Sequence, residues 1–480
     1  MRMSHDTTVS SDLDHDTAFL NDILDPDQVS RVQADRRERA TDWGTDRDQG
    51  TLPDAVVWPE STADVSSILS AASDRGVPVT PYAAGTSLEG NPIPLHKGIS
   101  MDMGRMDEVL TVRPEDHQVD VQPGVYGDEL NEAIEKHGLF LPSLPSSGKI
   151  STIGGMLAND ASGMKTVKYG EVSDWLLEAE IVLPTGEVIT AGSKAAKTSA
   201  GYNLEDLVVG SEGTLGVITR ATMQLTGVPE QVWGGRAVFS DLEDASAAVV
   251  DAVQSGVDVA KIELIDALSA EISNDYLDTG LPDAPMVFLE FHANHGIERE
   301  VEFCRTIFEE HGVDRFEVAE NDAEMANLWE ARRELADAFE PWDPDLSPLT
   351  PGDVTVPMSK YTEIVTHAKE LGAEYGITVA CFGHAGDGNV HYFVMVDPDD
   401  PEMVADGETV SKRIVERAIE LGGTSTGEHG IGTGKQEYLA AEGGDAVVDA
   451  MRSIKRSLDP AGILNPGKVF PDDGPDGNGP

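Results

Sequence analysis

Cysteine is nearly absent: Cys304 and Cys381 are the two in 480 residues. A disulfide framework and a cysteine-bound iron–sulfur cluster are both excluded on this chain. Basic residues are scarce as well. Against 87 Asp and Glu there are 34 Lys and Arg, a net charge of -53, spread along the whole sequence and not gathered in one tail. Such a surface repels nucleic acid and anionic membranes. Like charge at this density works against a compact state unless salt screens it, which points to a salt-rich, halophilic cytoplasm. Long apolar runs are also missing. Nothing approaches the roughly 18 residues of a membrane span, and the polar, acidic stretch from Met1 to Asp25 has no apolar core of a secretory signal. The expected location is the cytoplasm. Neither a G-x-G-x-x-G dinucleotide turn nor a Walker loop occurs, which argues against a resident nicotinamide cofactor.

What is present is ample apolar content, 40% of residues, and a length that suggests two or three domains at about 150 residues each. The pattern predicts an acidic N-terminal segment over 1–50 with a helix at 29–40, then a strand at 55–58 ending at Pro59. A helix follows with Ser61 as its N-cap and Val65, Ile68, Leu69 and Ala72 on one face, and next a strand at 77–79. Further strands are expected at 119–122 and 217–225, a helix at 128–137, and a hairpin of 178–183 with 187–190. Beyond Pro229 longer units alternate: strands at 232–239, 257–265, 286–291 and 315–319, with helices at 242–255, 298–311, 323–339, 360–375 and 401–421. The expected division is 1–50, 51–228, 229–450, a C-terminal return over 451–470 and a disordered tail over 471–480.

Gly383-His384-Ala385-Gly386-Asp387-Gly388-Asn389-Val390-His391 reads as strand, tight turn, strand, bringing two imidazoles towards one point. A third donor is on offer in Thr426-Gly427-Glu428-His429-Gly430. Two His and one Glu are a ligand set for a catalytic metal with an open position. The competing reading is that the histidines brace a glycine-rich loop. Earlier in the chain three loops rich in Gly, Ser, Thr and Ala each adjoin a strand, and their backbone N–H groups could cradle a pyrophosphate.

Pro81 to Ser87, Ile153-Gly154-Gly155-Met156-Leu157-Ala158-Asn159-Asp160-Ala161-Ser162-Gly163 leading to Lys168-Tyr169-Gly170, and Gly210-Ser211-Glu212-Gly213-Thr214-Leu215-Gly216-Val217-Ile218 resemble the FAD-binding half of flavoproteins of the vanillyl-alcohol oxidase type. The second half resembles the D-lactate, glycolate and D-2-hydroxyglutarate dehydrogenases. The resemblance runs from about Asp54 to Phe470 and implies an α+β fold: a two-part FAD-binding domain and a substrate cap domain with an antiparallel sheet. It implies that Pro81, Ala83, Ala84, Gly85, Thr86 and Ser87 hold the pyrophosphate of FAD. Gly154, Gly155, Ser162 and Gly163 would line the flavin, and Glu212, Gly213 and Ile218 would meet the ribityl and adenosine part. Asn465 and Lys468 would return to the ring. His384, His391 and Glu428 correspond to ligands of a divalent metal, usually zinc, His429 to the catalytic base, and Arg332 to the clamp on the substrate carboxylate. For Arg332 and Arg333 a surface pairing with Glu330 or Glu334 remains the alternative.

Departures from the pattern bear on the substrate. Relatives acting on 2-hydroxyglutarate place a threonine, a lysine and a polar residue where this chain has Ala336, Pro351 and Phe393, so a small or apolar monoacid such as D-lactate or glycolate is expected. Alanines at 83 and 84 stand where relatives more often have glycine, and nothing reads as a covalent flavin anchor. Expected partners are the 2-hydroxy acid and a separate iron–sulfur subunit or other electron acceptor, with a homodimer allowed, no nucleic acid and no membrane span. The alternatives are a D-2-hydroxyglutarate dehydrogenase, a metal-dependent hydrolase, and a non-catalytic acidic subunit.

Overall fold

The computed structural model describes residues 15–44, 50–319, 322–349 and 351–470. The expected tail over 471–480, and the start of the acidic segment, lie outside them. Contacts divide the chain into two compact units. One, the glycine-loop unit, takes the described residues up to Ser162, then Glu171–Val228 and the chain from Glu428 on. The other, the histidine unit, takes Gly163–Gly170 and Pro229–Gly427. The boundary expected at 450/451 lies instead at Gly427/Glu428 by the contact pattern. The same pattern moves the eight residues Gly163–Gly170, inside the second glycine motif, into the histidine unit.

The glycine-loop unit holds two main sheets. In the four-stranded sheet, Ala55–Val57 and Val79–Tyr82 both run parallel to Ile99–Asp102, and Val29–Ser30 joins the edge antiparallel. The crossover from Ala55–Val57 is the helix Thr62–Ser73, started by the Ser61 hydroxyl accepting from Asp64 N at 3.2 Å. Its buried face is Val65, Ile68, Leu69 and Ala72, as the spacing predicts. Strand pairing with Ala55–Val57 overrides the helix expected from residue 29: Val29 and Ser30 are extended, and the helix is only Gln33–Glu38. The five-stranded sheet is antiparallel, in the order Val109–Arg113, Gln118–Val121, Val217–Gln224, Leu176–Val182, Val188–Gly192. Each sheet has its own buried core.

In the histidine unit eight strands form one antiparallel sheet. Its middle runs Gln231–Val238, Met286–Ala293, Lys261–Ile265, Thr378–His384, Asn389–Val396 and Gly352–Thr355. The helix expected over 323–339 is two, Asp322–Arg333 and Leu335–Trp342, with Glu334 between them at φ -83°, ψ -1°. The helix Ala267–Leu277 carries no apolar stripe by which to read it, since half its buried face is Ser269 and Ser273. Asp266 caps it by accepting from Ser269 N at 2.8 Å. Together the two units make the α+β architecture, with the antiparallel sheet in the second half, that the sequence implies. No helix among the described residues is long and apolar enough to cross a membrane.

Candidate active site

In an antiparallel sheet, residues directly opposite on neighbouring strands share a face, and residues two apart on one strand do too. Glu263 pairs with His384, Phe382 with His391, and His391 with Asp353. Lys261 pairs with Glu290, with His292 two residues on. One face of the histidine unit's sheet therefore carries Lys261, Glu263, Glu290, His292, Asp353, His384 and His391, all nearly or fully buried.

The two expected metal-binding histidines lie side by side on this face. Their rings meet edge-on at 89° with centroids 5.1 Å apart. Glu263, which is 0% exposed, faces His384 Nδ1 at 2.8 and 3.0 Å with its two carboxylate oxygens. Its Oε2 also stands 2.6 Å from Arg332 Nη2. Burial opposes ionisation of Glu263, but His384 and Arg332 beside it hold the carboxyl below its ordinary range. Arg332 is buried and Arg333 exposed, so the surface pairing considered for both does not describe Arg332. Its guanidinium lies 4.9 Å over the Phe382 ring, and while Nη2 pairs with Glu263, its Nε has no hydrogen-bond partner among the described residues. A buried N–H left without an acceptor is costly unless a ligand completes it. Phe393 stacks on Phe339 at 4.3 Å, and both pack with Phe382 at 5.9 Å, an aromatic wall beside Arg332. Ala336 is exposed on the helix Leu335–Trp342, which also carries Phe339.

Asp353 fixes the end of the loop that leads to the third expected ligand. It is 1% exposed and accepts from Asn389 Nδ2 at 2.7 Å, Thr426 Oγ1 at 3.0 Å and Gly427 N at 2.8 Å. Its Oδ1 lies 3.9 Å from His391 Nδ1. Glu428 is the next residue in the chain, one Cα step of about 3.8 Å beyond Gly427.

In the glycine-loop unit the three glycine motifs meet. A Cβ on Gly155 would lie 3.1 Å from Ala83 Cβ, and one on Gly213 would lie 3.2 Å from Pro81 Cγ. Thr86 Oγ1 and Ser151 Oγ are 3.1 Å apart. Gly85 has φ +68°, the left-handed region open to glycine. The buried hydroxyl of Ser211 has no hydrogen-bond partner among the described residues. Glu212 turns its carboxylate to the loop after His429, accepting from Ile431 N at 2.7 Å and Gly432 N at 2.8 Å, with Asn91 Nδ2 at 2.5 Å. Burial pushes its carboxyl above the ordinary range against those donors. Asn465 Nδ2 donates to Glu212 O at 2.8 Å and Asn91 O at 3.0 Å, and Lys468 Nζ donates to Ile93 O. Glu428 is held here through its backbone oxygen, which accepts from Asn159 Nδ2 at 2.5 Å, and through Oε2, 3.4 Å from Ser162 Oγ. His429 follows, half-buried.

Ile218 is buried in the strand Val217–Gln224. Glu263, Asp353 and Glu290 lie outside the motifs of the sequence. The signal was there: charged residues at period 2 inside otherwise apolar strands, as in Lys261-Ile262-Glu263-Leu264-Ile265.

Two family models cover these two regions. Residues 53–192 match the FAD binding domain, and residues 229–469 match the C-terminal domain of FAD linked oxidases. The chain belongs to the FAD-linked oxidase family. Relatives of this FAD-linked oxidase include the mitochondrial D-lactate dehydrogenase [cytochrome] of Arabidopsis thaliana, 36% identical over 88% of this chain and 74% of that protein. The glycolate oxidase subunit GlcD of Bacillus subtilis is 36% identical over 88% and 90%, and that of Escherichia coli is 33% identical over 88% and 84%. Among solved structures, p-cresol methylhydroxylase with substrate bound superposes at a TM-score of 0.76, 16% identical, covering 95% of this chain and 96% of that one. The 4-ethylphenol oxidase of Gulosibacter chungangensis does so at 0.75, 19% identical, covering 95% and 97%. These likenesses bear out the resemblance read from the motifs: the FAD-linked oxidase has the two-domain fold of that flavoprotein type.

Proposed function

We propose that this chain oxidises a small D-2-hydroxy acid, of the D-lactate or glycolate class, to the 2-oxo acid. The observation that carries the reading is Arg332: a buried guanidinium whose Nε has no partner among the described residues, beside two imidazoles and an aromatic wall. Its planar fork suits a carboxylate, and the wall of Phe382, Phe393 and Phe339 suits a short or apolar substituent in place of a second charge. The names of the relatives, D-lactate dehydrogenase and glycolate oxidase subunit, support the same class.

The residues present fit the groups this chemistry needs. Pro81, Ala83, Ala84, Gly85, Thr86, Ser87, Gly154, Gly155, Ser162, Gly163, Glu212, Gly213, Ile218, Asn465 and Lys468 would hold FAD, consistent with three meeting glycine loops and the partnerless Ser211 hydroxyl. When bound, FAD supplies the acceptor for the hydride leaving C2. His384, His391 and Glu428 would hold a divalent ion, zinc by the donor set, which polarises the substrate hydroxyl when bound. Arg332 orients the acid by its carboxylate. His429 takes the hydroxyl proton on a ring nitrogen. The phenylalanines keep water from that side of the substrate. Residues 51–228 with the C-terminal return form the flavin part, and the middle of the chain the substrate part. Electrons then pass to a separate iron–sulfur chain or another acceptor, as the word subunit in the glycolate oxidase names suggests. We place the protein in the cytoplasm, reaching any membrane acceptor through such a partner.

The test is an anaerobic absorbance titration of the purified protein with D-lactate, L-lactate, glycolate and D-2-hydroxyglutarate in turn. Bleaching of the visible flavin band by D-lactate or glycolate alone is the expected result. Bleaching by D-2-hydroxyglutarate alone overturns the substrate class, and a colourless protein overturns the flavin reading.

A further inference from the structure

We propose that Glu263 is a positioning residue, coupling the orientation of a metal-binding imidazole to that of the arginine that takes the substrate carboxylate. This rests on the reading of His384 and Arg332 given above. Three elements converge on one carboxylate: the strand Lys261–Ile265 supplies it, the strand Thr378–His384 brings His384 directly opposite, and the helix Asp322–Arg333 brings Arg332. Both oxygens lie within 3.0 Å of His384 Nδ1, and Oε2 is also 2.6 Å from Arg332 Nη2.

Two consequences follow from this sharing. With Nδ1–H directed at a carboxylate, the ring lone pair is on Nε2, and the carboxylate behind the ring fixes the orientation in which Nε2 is presented to a ligand. Tilting of Arg332 away from Phe382 would cost the Nη2 contact, so the same carboxylate fixes the guanidinium plane. Nε is left without a partner among the described residues. A purely structural ion pair would need neither the histidine nor an unsatisfied N–H. Buried pairs with no further role are often replaceable by apolar side chains at little cost.

The experiment compares wild type, Glu263→Gln and Glu263→Asp, each flavin-loaded and stripped of metal by a chelator. Co2+ binding is measured by equilibrium dialysis, and KM and kcat for the bleaching acid after remetallation. The amide keeps the volume but presents an N–H where Arg332 needs an acceptor. The aspartate keeps the charge but is one methylene too short to serve both partners. We expect Co2+ affinity to fall by about tenfold to a hundredfold in Glu263→Gln. KM should rise by about tenfold or more with a smaller fall in kcat, and Glu263→Asp should be intermediate. If the amide variant loses its flavin or does not fold, the aspartate variant carries the decision on the same two readouts. Wild-type Co2+ affinity and KM in the folded variants, with only the unfolding temperature lowered, overturn the proposal and leave Glu263 as packing. If wild type itself takes up no Co2+, it is the metal reading of His384, His391 and Glu428 that fails, and the metal half of this proposal with it.

Discussion

Lys261 Nζ stands 2.9 Å from Glu290 Oε2, directly across from it on the neighbouring strand. The other oxygen of Glu290 meets His292 Nε2 at 2.8 Å, whose Nδ1 faces Tyr169 Oη at 2.9 Å, and Lys261 Nζ sits 4.3 Å over the Trp329 ring. Burial disfavours the Glu290 carboxylate, but His292 and Lys261 outweigh it and hold the group down at about 2. Because its folded value lies below its ordinary 4.5, the ionised carboxylate contributes stability above that value. The contribution is lost as pH falls from 4.5 through about 2. Glu290→Ala leaves a buried ammonium uncompensated and should destabilise the protein by about 3 kcal/mol in urea unfolding at neutral pH. A loss well under 1 kcal/mol would mean that the pair is only decorative.

Glu171 gives the opposite sign. Burial, with Asp160 and Asp174 nearby, pushes its carboxyl up to about 7. A raised acid costs stability where it must ionise, above pH 7. That cost disappears as pH falls towards the ordinary 4.5, since the folded form takes up the proton first. The unfolding temperature of wild type should therefore rise between pH 8 and 6 relative to Glu171→Gln, which removes the charge. Parallel curves for the two proteins would contradict the assignment.

Asp353 ties Asn389, Thr426 and Gly427 together, so Asp353→Ala strands three donors at once. The expected cost is about 3 kcal/mol, and on the proposed role of Glu428 as a metal ligand a lower metal content as well, since Glu428 follows the freed Gly427. Metal analysis of the purified variant with normal flavin content would check it; full metal occupancy would separate the two effects.

Arg332→Lys keeps a charge but loses the planar fork. KM for the substrate acid should rise by about tenfold to a hundredfold, equal to ~1.4 to ~2.7 kcal/mol, with the flavin retained. Steady-state kinetics with an artificial electron acceptor would show it, and an unchanged KM would place the carboxylate elsewhere.

Net charge makes a prediction of its own. At -53, mutual repulsion among surface carboxylates should be relieved by screening, so the unfolding temperature should climb with added KCl. A flat response between low and molar KCl would remove the halophilic reading, which rests on charge alone.

Much of this was legible in the sequence because it is local. The helix after Ser61 follows from a cap and an apolar stripe, the hairpin between His384 and His391 from a glycine-rich turn between strands, and the glycine loops from small residues next to strands. Each is fixed by neighbours a few residues away. The cross-strand row of Glu263, His384, His391 and Asp353 is different in kind, because only sheet register puts residues up to 128 positions apart on one face. The same is true of Arg332: its number in the chain does not reveal whether it or Arg333 points inward, and only the packing of the helix Asp322–Arg333 decides that. Composition settled the charge and the absence of cysteine chemistry, and motif order settled the family. Which carboxylate holds which histidine, and which arginine is left with an unanswered N–H, was decided by strand pairing and burial, where a polar group must find a partner because water is no longer available to it.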